Sequence, residues 1–281
     1  VRLTQINLLK KHGIAIRGLS GQHFLIDPNI QRKIVELLAP KKNEWILEIG
    51  PGLGALTAQI LAARSRVVAI EKDKRFCEIL EEELGEEYKG KLRIENADVL
   101  KTDLKKWFKK KSVKVVSNLP YYITSPILFW LIENRSFIDR AVLMMQREVA
   151  DRLLAQPGEK DYSRLTLGVG YYALVQRAFH VSRNCFTPKP EVDSTVLTLD
   201  FYPSSKLPKG IDEEFLFRVI QIAFGARRKT LLSRLAHDPQ IKRSRTELLD
   251  LLNRLGISKT ARAEDLLLKD FLALAASLAP R

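Results

Sequence analysis

Only two cysteines, Cys77 and Cys185, occur in 281 residues, and neither sits in a C-x-x-C or in a Cys/His cluster with metal-ligand spacing. That excludes a disulfide framework and argues against a zinc site. Histidine is equally sparse: His12, His23, His180 and His237 are scattered, no H-x-x-x-H pair exists, and no metal is implied. No apolar run reaches the roughly 18 residues that a bilayer crossing needs. The first residues also lack the charged head, apolar block and small-residue cleavage site of a secretory signal. A soluble, cytoplasmic protein that does not engage a membrane is the expectation. Residues 1–26 hold Arg2, Lys10, Lys11 and Arg17 with no acid, which keeps an organellar targeting segment open.

Positive charge is what the chain has in excess, with a net +14. Its distribution is uneven: residues 1–26 contribute +4, residues 204–281 carry 15 Lys/Arg against 9 Asp/Glu, and the long middle holds only +4. Basic flanks around a nearly balanced core are what a protein that neutralises nucleic-acid phosphates needs. The run Lys105-Lys106-Trp107-Phe108-Lys109-Lys110-Lys111, taken alone, reads as a solvated basic face.

Short β-branched runs alternate with amphipathic helical patterns through the first two hundred residues, which predicts an α/β fold with a mainly parallel sheet. Strands are expected at residues 45–49, 66–70, 92–95, 113–117, 141–145, 174–181 and 195–201. Helices are expected to begin near Pro28, Leu56, Asp73, Pro126, Arg147 and Ser163. Asp27-Pro28 and Ser125-Pro126 each place a capping oxygen before a proline, a helix-start signal. Tyr202-Pro203-Ser204-Ser205 reads as a linker, and the leucine spacing beyond it is helical throughout. Three segments follow: a basic N-terminal stretch 1–26, an α/β domain 27–203, and a small all-helical C-terminal domain 204–281 expected to bind RNA.

Within the α/β part, the strand ending at Ile49 runs into Gly50-Pro51-Gly52-Leu53-Gly54-Ala55, a turn that lets backbone approach a nucleotide closely. The glycines alone do not separate a nicotinamide dinucleotide from S-adenosylmethionine. Glu48, two residues before the first glycine, favours the second, because a carboxylate suits an ammonium and a sulfonium better than a pyrophosphate. Glu71, at the end of the next strand, is placed to receive a ribose hydroxyl pair. Asp98, after the third strand, is placed to accept from an adenine amine, although a lone Asp there also reads as a loop cap.

Asn118-Leu119-Pro120-Tyr121 closes the fourth strand. An exocyclic adenine amine is a poor nucleophile because its lone pair is delocalised into the ring. The Asn118 side-chain oxygen and the Leu119 carbonyl can accept its two N–H bonds and aim the nitrogen at a methyl donor, so that catalysis is mainly alignment. Pro120 fixes the local geometry, and Tyr121 offers a ring on which a base can stack.

The ordered set Gly21-Gln22-His23-Phe24-Leu25, Glu48-Ile49-Gly50-Pro51-Gly52-Leu53-Gly54, Asn118-Leu119-Pro120-Tyr121 and Phe186-Thr187-Pro188-Lys189-Pro190 resembles the ribosomal RNA adenine dimethyltransferases of the KsgA type. So do Asp161-Tyr162-Ser163-Arg164-Leu165 and Ala223-Phe224-Gly225-Ala226-Arg227-Arg228-Lys229. The resemblance implies a Rossmann-like class I S-adenosylmethionine-dependent methyltransferase domain and dimethylation at N6 of two adjacent adenosines near the 3′ end of small-subunit ribosomal RNA. The expected partner is that RNA within an immature small ribosomal subunit, and the expected state is a monomer. The resemblance assigns cofactor contacts to His23, Leu25, Gly50, Gly52, Glu71, Asp98 and Asn118. It puts Tyr121 and Phe186 against a flipped target base, with Arg227, Arg228 and Lys229 as RNA contacts. The chain departs from the family pattern with His23 where Asn is common, Ser20 where Phe is common, and Ala226 where Gln is frequent.

Three other readings remain at this point. A large-subunit ribosomal RNA methyltransferase of the antibiotic-resistance type would share the cofactor and Asn-Leu-Pro-Tyr motifs. A noncatalytic nucleic-acid-binding factor could reuse the fold. A nicotinamide-dependent enzyme would share only the glycine turn.

Overall fold

The computed structural model describes residues 4–14, 23–108, 113–226 and 228–279. Seven strands make one sheet: β1 (Trp45–Ile49), β2 (Arg66–Glu71), β3 (Leu92–Asn96), β4 (Val113–Asn118), β5 (Ile138–Gln146), β6 (Ala173–Val181) and β7 (Ser194–Phe201). Their spatial order is β3-β2-β1-β4-β5-β7-β6. The first five run parallel, and β7 pairs antiparallel with both β5 and β6. Central strands covered on both faces require apolar residues at successive positions, and β1 supplies them with Ile46 and Leu47 fully buried.

The chain steps outward from β1 to β3 and then returns to place β4 beside β1. The strand order therefore reverses between β1 and β4, and open α/β sheets bind ligands in the crevice at the carboxyl ends of such a pair. Ser117 fixes that junction by donating from its hydroxyl to the Ile49 carbonyl at 2.6 Å.

The described chain forms two compact units. The first comprises residues up to Ala150 together with Ala173–Ser204, and the second comprises Asp151–Tyr172 together with residues from Ser205 onward. The division between them near the linker falls between Ser204 and Ser205. Segment 151–172, expected inside the α/β domain, belongs instead to the helical unit. The reason is in its side chains: the Tyr162 hydroxyl donates to the Leu266 carbonyl at 2.9 Å, and the Tyr172 hydroxyl donates to Glu213 at 2.7 Å. Tyr162 also lies beside Phe224, with ring centroids 6.2 Å apart.

In the first unit, helices α1 (Gln5–Lys11), α2 (Pro28–Leu38), α3 (Ala55–Ala62), α4 (Lys74–Leu80), α5 (Thr124–Glu133) and α6 (Arg147–Leu154, extending into the second unit) accompany the strands. Asp27 caps α2 as expected, accepting from the Asn29 and Ile30 amides with Pro28 at the first position. Helix α5 starts at Thr124, two residues before Pro126. Ser125 is therefore not its cap, because proline is tolerated anywhere in a first turn whose amides have no helical partner. Helix α1, which the sequence reading did not foresee, is capped by Thr4 and buries Leu8 and Leu9 against Leu53, Phe76 and Ile79. Lys11 at its end and His12 just after it engage Glu83.

The second unit contains α7 (Arg164–Tyr172), α8 (Glu213–Ala223), α9 (Leu231–Ala236), α10 (Arg245–Arg254) and α11 (Leu268–Leu278). Among the described residues, no helix is long and apolar enough to cross a membrane.

Candidate active site

The site begins with backbone that only glycine adopts without strain. Gly50, Gly52 and Gly54 have φ of 66°, 55° and 76°, left-handed values that cost a residue with a Cβ about 1–2 kcal/mol each. A Cβ on Gly54 would also lie 2.6 Å from Leu80 Cδ2, so the loop is pressed against α4. Its open edge is held by Glu71, which accepts the Gly52 amide at 3.1 Å with one oxygen and the Asp73 amide at 2.9 Å with the other. Burial raises the Glu71 carboxyl above its ordinary range against the opposing pull of those amides.

Glu48 lies deeper, at 2% exposure. Its carboxyl receives the Thr57 hydroxyl at 2.6 Å, and burial pushes its pKa up to about 7. Asp98 is a capping residue that also faces the crevice. Its carboxylate caps the turn at Val99–Lys101 through the Leu100 amide, and it also reaches the crevice, paired with Lys72 at 3.1 Å. Burial would raise the Asp98 carboxyl, but Lys72 and the Leu100 amide outweigh it and leave it below the usual range.

Glu48, Gly50, Gly52, Glu71, Lys72 and Asp98 line one cavity of about 510 Å³ at the carboxyl ends of β1, β2, β3 and β4, a size that suits a nucleoside-like small molecule. His23, Leu25, Gly50, Gly52, Glu71 and Asp98 are all on its wall, as are Asn118, Leu119, Pro120 and Tyr121.

The acceptor end of the cavity is built at the end of β4. The Leu119 amide continues the ladder to the Met144 carbonyl at 2.9 Å. Pro120 has φ −60°. The Asn118 side-chain nitrogen donates to the His23 carbonyl at 2.9 Å, which turns the amide oxygen away from that contact. The His23 ring is fixed in turn: its Nδ1 lies 2.7 Å from the Pro188 carbonyl. A carbonyl only accepts, so Nδ1 carries the proton. Tyr121 stands beside His23 with ring centroids 5.3 Å apart and anchors its hydroxyl 3.1 Å from Ser194 Oγ.

A two-stranded ribbon organises this end. Phe24 pairs with Thr187 and Leu25 with Phe186, and the Ile26 amide extends it to the Cys185 carbonyl at 2.9 Å. Two motifs far apart in sequence, His23-Phe24-Leu25 and Phe186-Thr187-Pro188, are thus one structural feature. Phe186 itself is 4% exposed and packs in the apolar core with Leu25 and Val181. The structure does not bring its ring to the cavity wall with Tyr121, because its ribbon position directs it to the core.

Arg228 and Lys229 are exposed in the helical unit, and Arg227 lies outside the described residues. Gln5, Phe24, Phe76 and Tyr122 also line the cavity and escaped the sequence reading. The Thr4 cap and the Leu8-Leu9 pair were the available signals for the helix that carries Gln5.

A family profile described as "Ribosomal RNA adenine dimethylase" matches residues 15–279. A Bacillus cytotoxicus protein named ribosomal RNA small subunit methyltransferase A is 39% identical over 280 residues, covering 98% of this chain and 95% of the relative. Relatives of the same name from Bacillus cereus match at 39% over 282 residues, covering 97% of this chain and 94% of each relative. Among solved structures, a dimethyladenosine transferase from Plasmodium falciparum superposes with a TM-score of 0.77 at 31% identity, covering 91% of this chain and 97% of that one. The 23S rRNA methyltransferase ErmE superposes with a TM-score of 0.70 at 26% identity, covering 91% and 99%. Those matches span both units and every motif on the cavity wall: the chain belongs to the ribosomal RNA adenine dimethylase family.

Proposed function

We propose that the protein transfers methyl groups from S-adenosylmethionine to N6 of two adjacent adenosines near the 3′ end of small-subunit ribosomal RNA, giving N6,N6-dimethyladenosine. The observation that carries this reading is the Asn118 amide, held by the His23 carbonyl at 2.9 Å on the wall of the cavity. With its nitrogen engaged, its oxygen is the group left to accept from an amine. The relatives named for small-subunit methylation match at 39% identity, whereas ErmE matches at 26%, which favours the small-subunit substrate.

The cavity suits the methyl donor. Gly50 and Gly52 allow close backbone approach, Glu71 has lone pairs to accept ribose hydroxyls, Asp98 can accept from an adenine amine, and Glu48, its pKa lifted to about 7 by burial, can release its proton to balance a positive charge beside it. When bound, S-adenosylmethionine supplies an electrophilic methyl group on a sulfonium centre. Asn118 Oδ1 and the Leu119 carbonyl accept the two N–H bonds of the target amine, which orients the nitrogen lone pair along the line of displacement. The same two oxygens stabilise positive charge as it develops on nitrogen, and the displaced proton passes to water. Tyr121 stacks on the base, which must leave its helix to reach the cavity. Phe186 supports this wall from behind, through its pairing with Leu25.

The acceptor is presented within an immature small ribosomal subunit, and the protein acts as a monomer. The basic helical unit, with Arg228 and Lys229, contacts RNA phosphates. Incubation with labelled methyl donor and either immature small subunits or large-subunit RNA tests the assignment. Label is expected in small-subunit adenosine. Label confined to large-subunit RNA would transfer the reading to the other substrate.

A further inference from the structure

The amino ends of the strands, opposite the cavity, carry a second cationic surface. Segments 41–44, 64–66 and 89–93 lead into β1, β2 and β3 and hold seven cationic side chains against one carboxylate, Glu44. Counting Glu86 and Glu87 just before them, cations still outnumber acids seven to three. Glu44 is already neutralised, taking Lys114 Nζ at 3.2 Å and the Lys41 amide at 2.8 Å.

The three segments form one edge. The Asn43 amide donates to the Arg64 carbonyl at 2.9 Å, Arg66 to Glu44 at 2.7 Å, and Val67 to Lys91 at 2.8 Å. The Ser65 hydroxyl adds a bond to the Lys41 carbonyl at 2.7 Å. Trp45, half-buried at the start of β1, has the Arg66 and Arg93 guanidinium groups 5.6 and 5.9 Å from its ring. Stacking on an indole holds a guanidinium in place without consuming its hydrogen-bond donors.

Lys41, Lys42, Arg64, Lys89, Lys91 and Arg93 are exposed, and none of the six forms an ion pair among the described residues. Across three neighbouring strands about 4.8 Å apart they make a cationic row about 10 Å wide. Like charges held this close repel one another unless a polyanion neutralises them. The row is separated from Gly50 by the five residues of β1, roughly 17 Å of strand. A nucleotide with its base in the cavity cannot set its own phosphate there.

We propose that this amino-end edge is a second phosphate-binding face, which grips a segment of the large RNA substrate remote from the methylated adenosines. The identity of the partner rests on the RNA-methylating reading above. The site would let the enzyme prefer a folded ribosomal RNA, whose distant segments lie close in space, over a short strand carrying the same target bases.

The test uses the full chain with Lys41→Gln, Lys42→Gln, Arg64→Gln and Lys91→Gln combined, and small-subunit ribosomal RNA transcribed in vitro as the probe. Affinity is measured between about 50 and 200 mM salt. Each lost phosphate contact reduces the slope of log K against log salt by about 0.7–0.9, so the combined variant is expected to bind more weakly with a slope shallower by about three. Its affinity for S-adenosylhomocysteine and its melting temperature should match wild type. If the combined variant melts early, Lys42→Gln with Lys91→Gln should give about half the slope change. A folded variant with wild-type RNA affinity and slope would overturn the proposal. The comparison needs no turnover: wild type that binds the RNA without methylating it would sink the functional reading and leave the salt slopes to judge this face.

Discussion

The side-chain nitrogen of Asn118 donates to the main-chain carbonyl of His23 at 2.9 Å, and this bond decides which end of the amide serves the cavity. It joins the end of β4 to the segment that pairs with Phe186-Thr187. Three motifs separated by up to 165 residues, the span of the His23–Pro188 contact, are thereby fixed in one arrangement. The amide is a positioned acceptor because its other end has a structural partner.

Replacing Asn118 by alanine removes that acceptor and leaves the His23 carbonyl without its donor. Turnover should fall by about 100-fold or more, the scale on which loss of alignment acts. Asn118→Asp keeps an acceptor but cannot donate to His23, and should fall by a similar factor. Titration calorimetry with S-adenosylhomocysteine should show affinity retained within about tenfold, since the glycine loop and Glu71 are untouched. Loss of cofactor binding with unchanged single-turnover rate would contradict this division of roles.

Tyr121 separates ring from hydroxyl. Tyr121→Phe removes only the contact with Ser194 at 3.1 Å, a loss of about 0.5–1.5 kcal/mol, and should lower kcat/KM for RNA by less than about tenfold. Tyr121→Ala removes the stacking platform, about 1–3 kcal/mol per base, and should lower it further. Equal effects of the two variants would show that the hydroxyl, not the ring, matters.

The glycine loop can be tested by stability alone. Gly50 has nothing within 4 Å of an added Cβ, whereas at Gly54 that atom would meet Leu80 at 2.6 Å. Gly50→Ala should cost about 1–2 kcal/mol from its left-handed backbone. Gly54→Ala should cost about 1–3 kcal/mol more from overpacking. Denaturant midpoints giving the reverse order would contradict the packing described for α4.

Much of this arrangement is legible in the sequence because the signals are local. β-branched runs place all seven strands to within three residues at their ends, and Asp27-Pro28 marks α2 by capping chemistry that its own amides complete. What is not legible depends on distant partners. Segment 151–172 reads as part of the α/β domain, and only the Tyr162–Leu266 and Tyr172–Glu213 bonds reveal where it packs. Phe186 carries the motif signature of a stacking ring, yet a two-residue ribbon with no periodicity to detect turns it into the core. Asp98 lies on the cavity wall as expected, but its partnership with Lys72 depends on how β2 and β3 align.

Glu48 gives a pH signature. Its folded pKa of about 7 exceeds the ordinary 4.5, so between those values the native state holds a proton that the unfolded chain has released. Stability from this group is fully present below the unfolded value and is lost as pH rises through the folded one, by up to about 3 kcal/mol. Thermal melts of the ligand-free protein should show this loss in wild type, and Glu48→Gln, which stays neutral and can keep the Thr57 bond, should flatten that part of the profile. Identical pH profiles for the two proteins would mean that Glu48 is ionised in the fold.

The most direct measurement is mass spectrometry of small-subunit ribosomal RNA after incubation with labelled S-adenosylmethionine, comparing wild type with Asn118→Ala. Wild type should convert two adjacent adenosines near the 3′ end to N6,N6-dimethyladenosine, and Asn118→Ala should leave them unmodified over the same time. Absence of dimethyladenosine with wild type, or undiminished dimethylation with Asn118→Ala, would contradict the account.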